Sequence, residues 1–291
     1  MKKSVKISIL CEDQAKMGYM DKIFLGQHGF SAFIEAGEKI LFDTGSTDVI
    51  IYNAALLGIN LNATDLIVLS HGHWDHANGL KALHTKGIKK KLLVHPGAFI
   101  DRRKATGEYN GMPYNQEETA EKFDLVLLKE PYQISDNIYF LGEIPRVNEF
   151  EAKKTTFFYM NEGGKLQDFI MDDTALAIKT EKGLVIVTGC SHAGICNIVE
   201  HAREVTNQDK VYVVMGGFHL LGDQCQLQKT IDYFLKNRVE HLYPPCIALI
   251  YHLYRGFMKR SESKSYAPGI PLKSITDHFR GSDVWCTPRL A

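Results

Sequence analysis

The sequence predicts an α/β fold, a helix-sheet-sheet-helix sandwich, on three observations. Short apolar runs rich in β-branched residues alternate with segments of helical pattern. That alternation occurs twice along the 291 residues, as expected for two layered halves around one core. One apolar run, Leu66-Ile67-Val68-Leu69-Ser70, leads straight into a cluster of ligand-type side chains. Functional groups of α/β folds gather where strands end and loops begin.

Taken in order, 5–11, 31–35 and 39–43 read as strands, with Gly37-Glu38 as a hairpin turn between the last two. Residues 48–57 read as a helix, with Asp48 near its start and Gly58 beyond its end. Strands follow at 66–69 and 91–94. Residues 97–120 are polar and contain Gly, Asn and Glu, which suggests an inserted flexible lid. In the second half, 175–179 and 184–188 read as strands joined through Glu181-Lys182-Gly183. Residues 195–205 read as a helix, 211–215 as a strand and 227–236 as a helix. No internal sequence repeat accompanies this repeated layout.

The cluster is His71-Gly72-His73-Trp74-Asp75-His76, three of the chain's 12 histidines with an aspartate among them. In an extended segment His71, His73 and Asp75 face one side and His76 the other. A turn at Gly72 or Trp74 lets the first two grip one metal while Asp75 and His76 grip a second. Imidazole and carboxylate donors suit zinc, manganese or iron. A solitary histidine is ordinarily a polar surface residue, but this density is the pattern that coordination produces.

His-x-His-x-Asp-His after an apolar strand resembles the metallo-β-lactamase superfamily, and Asp43 in Leu41-Phe42-Asp43-Thr44-Gly45 matches its upstream strand-Asp-x-Gly element. Further blocks resemble the subgroup of methanopterin-pathway dihydropterin ribofuranosyl-aminobenzene phosphate synthases and their bacterial relatives. These are His28-Gly29-Phe30-Ser31, Gly142-Glu143-Ile144-Pro145-Arg146, Asp172-Asp173, Gly189-Cys190-Ser191-His192-Ala193-Gly194 and Gly216-Gly217-Phe218-His219-Leu220. The resemblance spans about residues 5–245. It implies a single domain over 1–245, an αββα metallo-β-lactamase-like sandwich of two mixed sheets flanked by helices, with metals at one edge between the sheets.

Cys190 occupies the position of a superfamily ligand, and a thiolate binds zinc or iron well. A small buried residue is the competing reading. His192, two residues on, reaches the same edge as a metal or substrate ligand. Asp173 precedes a strand where many relatives place a metal-binding histidine, and a plain turn carboxylate is its alternative. His219 follows two glycines at a strand end, placed to bind metal, move protons or cap the strand. His28 and Arg146 are the candidate substrate contacts, with a solvent-facing ring and an ordinary ion pair as the competing readings. His84, His201 and His278 read as ordinary histidines.

One block departs from the subgroup, which carries a late His-Cys-Thr-Gly or His-Cys-Thr-Asp element after Tyr-Pro. Here Tyr243-Pro244-Pro245 leads into Cys246-Ile247-Ala248-Leu249-Ile250, without histidine. Codons TGC CAT TGC ACT GAT lose one C to give TGC ATT GCA CTG AT, which reads Cys-Ile-Ala-Leu-Ile. The sequence thus points to a single-base shift, with 246–291 as an atypical tail.

The expectation is a metal-dependent hydrolase. His71, His73 and His192 hold one divalent cation; Asp75 and His76, with Cys190 or Asp173, hold a second. Zinc leads, with iron or manganese as alternatives. Metal-bound hydroxide attacks a phosphate-bearing or cyclic ester substrate, with Asp75 and His219 as the catalytic residues. The alternatives are a metal-binding sensor or regulator, favoured by the missing late histidine, and a diiron redox protein, which needs a flavin domain for which no room remains. Lys plus Arg equals Asp plus Glu at 34 each, so no basic face suggests nucleic acid. The short basic runs Lys89-Lys90-Lys91 and Arg102-Arg103-Lys104 read as solvated faces. Six scattered cysteines and a start without a long apolar stretch suggest a reducing, cytoplasmic setting. The partner is a small-molecule substrate, with no membrane and with a homo-oligomer left open.

Overall fold

A computed structural model of the chain describes residues 4–15, 23–220 and 223–244, together with the backbone of Val284–Thr287. Three strands open the first half: β1 (Val5–Cys11), β2 (Ser31–Glu35) and β3 (Lys39–Phe42). Helix α1 (Val49–Leu56) and β4 (Leu66–Val68) follow, then α2 (Trp74–Ala77), α3 (Leu80–Thr85) and β5 (Lys91–Val94). Next come β6 (Asp101–Arg103), α4 (Gln116–Lys122) and β7 (Asp124–Leu127). The second half contains β8 (Tyr132–Ser135), β9 (Ile138–Phe140), β10 (Phe158–Asn161), β11 (Gly164–Gln167), β12 (Ala175–Thr180) and β13 (Gly183–Thr188). It closes with α5 (Ile195–Thr206), β14 (Val211–Met215), α6 (Gln224–Lys236), β15 (His241–Tyr243) and β16 (Val284–Thr287).

Period-2 alternation explains the layering. In β3, Ile40 and Phe42 point into the central core, while Leu41 points out to a cluster with Ile50 of α1 and Leu80 and Leu83 of α3. In β13, Val185 and Val187 point into the same central core, while Leu184 and Ile186 meet Ile195, Ile198 and Val199 of α5 and Phe234 of α6. The strands are therefore buried on both faces, and their sequences are continuous apolar runs. Truncating one such side chain, Leu41 for example, costs about 2–5 kcal/mol.

Both sheets are mixed. The first has the order β16-β1-β2-β3-β4-β5-β7 and the second β15-β14-β13-β12-β9-β8. The sandwich of two mixed sheets between helices is thus present as the sequence predicts. A three-stranded sheet, β11-β10-β6, is an addition. Its short strands have largely exposed side chains and lack a readable alternation.

Segment 97–120 carries more structure than its polarity suggests. It contains β6 and most of α4, whose start is fixed by a reciprocal capping box between Asn115 and Glu118. Arg102, at its base, is fully buried. The tail strand β16 pairs in parallel with β1, Val5 opposite Val284. The remainder of 246–291, including the site of the inferred frame shift, lies outside the described residues.

Candidate metal centre

Parallel pairing of β3, β4 and β5 brings three strand ends to one edge. Leu69, Ser70 and His71 continue from β4 without exposure. The turn falls at Trp74, where α2 begins with His73 in the preceding cap position. An entirely extended motif would leave His76 on the opposite side. The single helical turn instead swings His76 back beside His71, with ring centroids 4.3 Å apart.

From the other half, β13 ends at Thr188 and delivers Cys190 and His192. Gly189 makes this juncture possible, because a Cβ there would stand 2.1 Å from Ser70 Oγ. Ser191 adopts φ 61° and its hydroxyl donates to Gly217 O, which fixes the turn between Cys190 and His192. The start of α5 is secured by the buried Glu151, which accepts from the backbone N–H groups of Cys196 and Asn197 at 3.0 and 3.1 Å.

Two donor groups result, each with its ligand atoms within 4.8 Å of one another. One comprises His71, His73 and His192; the other His71, His76 and Cys190. His76 Nε2 lies 3.0 Å from Cys190 Sγ and 3.5 Å from Asp75 Oδ2. Asp75 thus stands beside the second group. His73 Nε2 and His192 Nε2 are buried and have no hydrogen-bond partner among the described residues. Orphaned buried ring nitrogens are costly unless something accepts their lone pairs or protons. A divalent cation fits these atoms, and the nitrogen, sulfur and oxygen donors suit zinc.

A shared carboxylate orients both groups. Asp43 leaves β3 with φ 55°. Its Oδ1 accepts from Ser70 N, and its Oδ2 accepts from Ser70 Oγ, each at 2.7 Å. The same Oδ2 meets His76 Nδ1 at 2.7 Å. Ser70 Oγ in turn lies 2.8 Å from His71 Nδ1. With both Nδ1 atoms engaged this way, the Nε2 atoms turn to the other donors, His71 Nε2 to His73 Nδ1 at 2.9 Å and His76 Nε2 to Cys190 Sγ at 3.0 Å.

Burial pushes His71, His73 and His192 well below the usual histidine range, reinforced by neighbouring rings. These three are neutral, ready-made donors. At His76 burial acts the same way, but the negative charges of Cys190, Asp43 and Asp75 outweigh it and hold the ring well above its ordinary value. Burial raises the Cys190 thiol, with His76 pulling against it. The two form a coupled pair, in which a proton on His76 and negative charge on Cys190 support each other while Asp43 holds the ring from behind.

The remaining sequence candidates divide. His219 joins the site, its ring centroid 4.3 Å from that of His192, on a backbone with φ 44°. One side of it is open to solvent. His28 stands at the mouth, with Nδ1 2.9 Å from Asp13 Oδ1 and Nε2 3.4 Å from Asp75 Oδ2. Asp173 belongs to neither donor group, and its Oδ1 is buried without a hydrogen-bond partner among the described residues. It is 3.9 Å from His71 Nδ1, and its Oδ2 accepts from Ala193 N at 2.8 Å, which steadies the turn carrying His192. Burial raises it to about 7. Arg146 donates through its Nη atoms to Phe169 O, Ile170 O and Met171 Sδ, while its buried Nε has no hydrogen-bond partner among the described residues.

Sequence reasoning missed the support beneath the motif. Arg102 grips Asp172 through both carboxylate oxygens, at 2.7 and 3.2 Å, and Asp172 Oδ2 also accepts from Gly72 N at 2.7 Å. The peptide between His71 and His73 is therefore tied to a buried ion pair. Arg102 overrides the burial penalty at Asp172 and holds its carboxyl below the ordinary range. A signal for this existed: period 2 in Asp101-Arg102-Arg103 turns Arg102 away from the face of its neighbours. Phe157, 4.9 Å from the His73 ring, was also missed.

With this geometry in place the chain's kinship is plain: it belongs to the metallo-beta-lactamase superfamily, whose family model matches residues 26–152. It is 37% identical over 217 residues to uncharacterized protein MJ0448 of Methanocaldococcus jannaschii, covering 73% of this chain and 81% of that protein. It is also 37% identical over 257 residues to 7,8-dihydropterin-6-methyl-4-(beta-D-ribofuranosyl)-aminobenzene-5'-phosphate synthase of the same organism, covering 82% and 86%. Among solved structures it is similar to Tm1679, described as a metal-dependent hydrolase of the beta-lactamase superfamily. That match has TM-score 0.76 and 30% identity, and covers 88% of this chain and 93% of that one. The fold is thus that of the superfamily's metal-dependent hydrolases, and it implies divalent metal binding. Among the described residues no helix is long and apolar enough to cross a membrane.

Proposed function

We propose that the protein is a metal-dependent hydrolase acting on a small phosphate-bearing or cyclic ester substrate. The observation that carries the reading is the pair of donor groups that share His71, with His73 Nε2 and His192 Nε2 buried and without hydrogen-bond partners among the described residues. His71, His73 and His192 would hold one cation. His76, Cys190 and Asp75 would hold another, zinc being the best match to the donors. When bound, a divalent cation supplies Lewis acidity and acidifies water. The chain's own residues do the rest. Asp75 stands at the cleft floor, its Oδ2 3.5 Å from His76 Nε2. His219, at the open edge, is placed to move a proton to or from a leaving group. Phe157 walls off His73 and His192 from water.

A second reading is favoured by the 37% identity to a protein named as a synthase: a transfer or bond-forming reaction at the same centre. One experiment addresses both. Protein purified without chelator is assayed for metal content and for turnover of phosphodiester and lactone substrates, alongside the double variant His71→Ala/His73→Ala. The expected result is stoichiometric metal and turnover in the native chain, both lost in the variant. Metal without turnover of any ester favours the transfer reading. Undiminished metal in the variant sinks both.

A further inference from the structure

Beside the donor groups lies a cleft of about 460 Å³ lined by Trp74, Asn78, Lys81, Lys104, Tyr109 and Met112, among others. That volume is in the range of small-ligand pockets. Trp74 sits between two ligand-type residues of the histidine motif and forms a shared wall. Its indole has the His28 ring 5.9 Å away, and His28 in turn reaches Asp75. Trp74 is thus the one lining residue that is a chain neighbour of the motif's donors, His73 on one side and Asp75 on the other.

The chemistry of the lining is specific. Lys104 Nζ stands 5.7 Å from the centroid of the Trp74 ring. Its ion pair with Glu108, at 3.5 Å, is solvent-exposed on both sides and so weak enough to be exchanged for a ligand. Lys81 projects from α3 as an exposed side chain. Tyr109 is 51% exposed, yet its hydroxyl is pinned to Met112 O at 2.9 Å and the Arg103 guanidinium stands 5.6 Å from its ring centroid, so the ring is held in place with its remaining surface open. A Cβ at Gly111 would stand 2.7 Å from the Tyr109 hydroxyl, so the glycine keeps room for that ring. Two ammonium groups and two aromatic faces around one cavity match a ligand with a flat ring and a doubly charged anion. A phosphate monoester carries about −1.5 to −2 charges at neutral pH.

We infer that this cleft is a subsite for an aryl phosphate monoester. Lys81 and Lys104 neutralise the phosphate while Trp74 and Tyr109 pack against the ring. The inference rests on the hydrolase reading only in placing the rest of the ligand toward the donor groups.

The test is calorimetric titration of the full chain with phenyl phosphate, inorganic phosphate and phenol, as purified and after chelation. Phenyl phosphate should bind more tightly than either fragment, in both metal states. Lys81→Ala/Lys104→Ala should weaken it about tenfold or more, the loss expected for charge-assisted contacts, with circular dichroism and metal content unchanged. Both lysines are exposed, so folding is preserved. Equal affinity in the double variant overturns the inference, as does inorganic phosphate binding as well as phenyl phosphate. Binding that vanishes on chelation also overturns it, since the anion then sits on the metal. Retained phenyl phosphate binding in a native chain that takes up no metal would sink the hydrolase reading and leave the cleft standing.

Discussion

The group of His71, His73 and His192 is built from imidazoles alone, whereas the group around His76 adds the Cys190 thiol and the Asp75 carboxylate. The first is preformed and neutral, because burial keeps all three rings unprotonated. The second is charged, with His76 held protonated by its acidic neighbours and Cys190 pushed up by burial. Two sites within a few ångströms can thus differ in charge and in readiness for a cation. The difference comes from burial of the three rings in the first group and, in the second, from the acidic groups around His76, which are Cys190, Asp43 and Asp75.

Removing the support beneath the motif tests that distinction most severely. Arg102→Met leaves Asp172 buried without its partner. A broken buried pair costs about 3–5 kcal/mol of stability, measured by chemical denaturation. Metal affinity of the imidazole group should fall with it, because Gly72 N loses its fixed acceptor. Because Arg102 also pairs with the buried Asp168 at 3.2 Å, adding Asp168→Asn and Asp172→Leu to Arg102→Met should recover much of the stability but not the affinity. Full recovery of both would make the ion pair a packing feature only.

Asp43→Asn should have the next largest effect. The amide keeps the shape but replaces one acceptor by a donor opposite His76 Nδ1. Outer carboxylates of this kind are worth about 10–100-fold in metal affinity, so competition with a chelating dye should show a loss of that order. The loss should be greater in the His76 group, which touches Asp43 directly, than in the imidazole group, which touches it through Ser70. Equal losses would remove the distinction.

Acidity separates the groups more gently. Coordination removes protons only where the empty donors carry them. The folded values of His71, His73 and His192 are lowered, so these rings are deprotonated near neutrality and their affinity is flat there. His76 and Cys190 are raised, so each proton displaced makes affinity climb by up to about tenfold per pH unit as pH rises. Metal titrations in buffers of different ionisation enthalpy should show proton release for the second equivalent and almost none for the first.

These contrasts mark what could be read in advance. The motif from His71 to His76 was legible because its donors share one strand, one turn and one helical turn. Cys190 and His192 were legible from the strand that ends before them. Their oriented partners were not. Gly72 and Asp172 are 100 residues apart, and no local period links them. Arg102 was hidden in a basic run that reads as solvated, although strand alternation buries it alone. The two layers followed from apolar runs buried on both faces, while the short strands β6, β10 and β11 carried too few buried positions to show. Asp173 stayed open between ligand and turn carboxylate because its strand-end place suits either, and its contact with Ala193 N lies 20 residues away in the chain.

The central claim, two unlike donor groups on one floor, is tested most directly by titrating metal-free protein with cobalt(II) and following its absorption. The first equivalent should give only the weak visible bands of a nitrogen-ligated ion. The second should add an intense near-ultraviolet thiolate-to-cobalt band that is absent in Cys190→Ser, whose first equivalent is unchanged. A thiolate band that rises with the first equivalent, or survives in Cys190→Ser, would contradict the account.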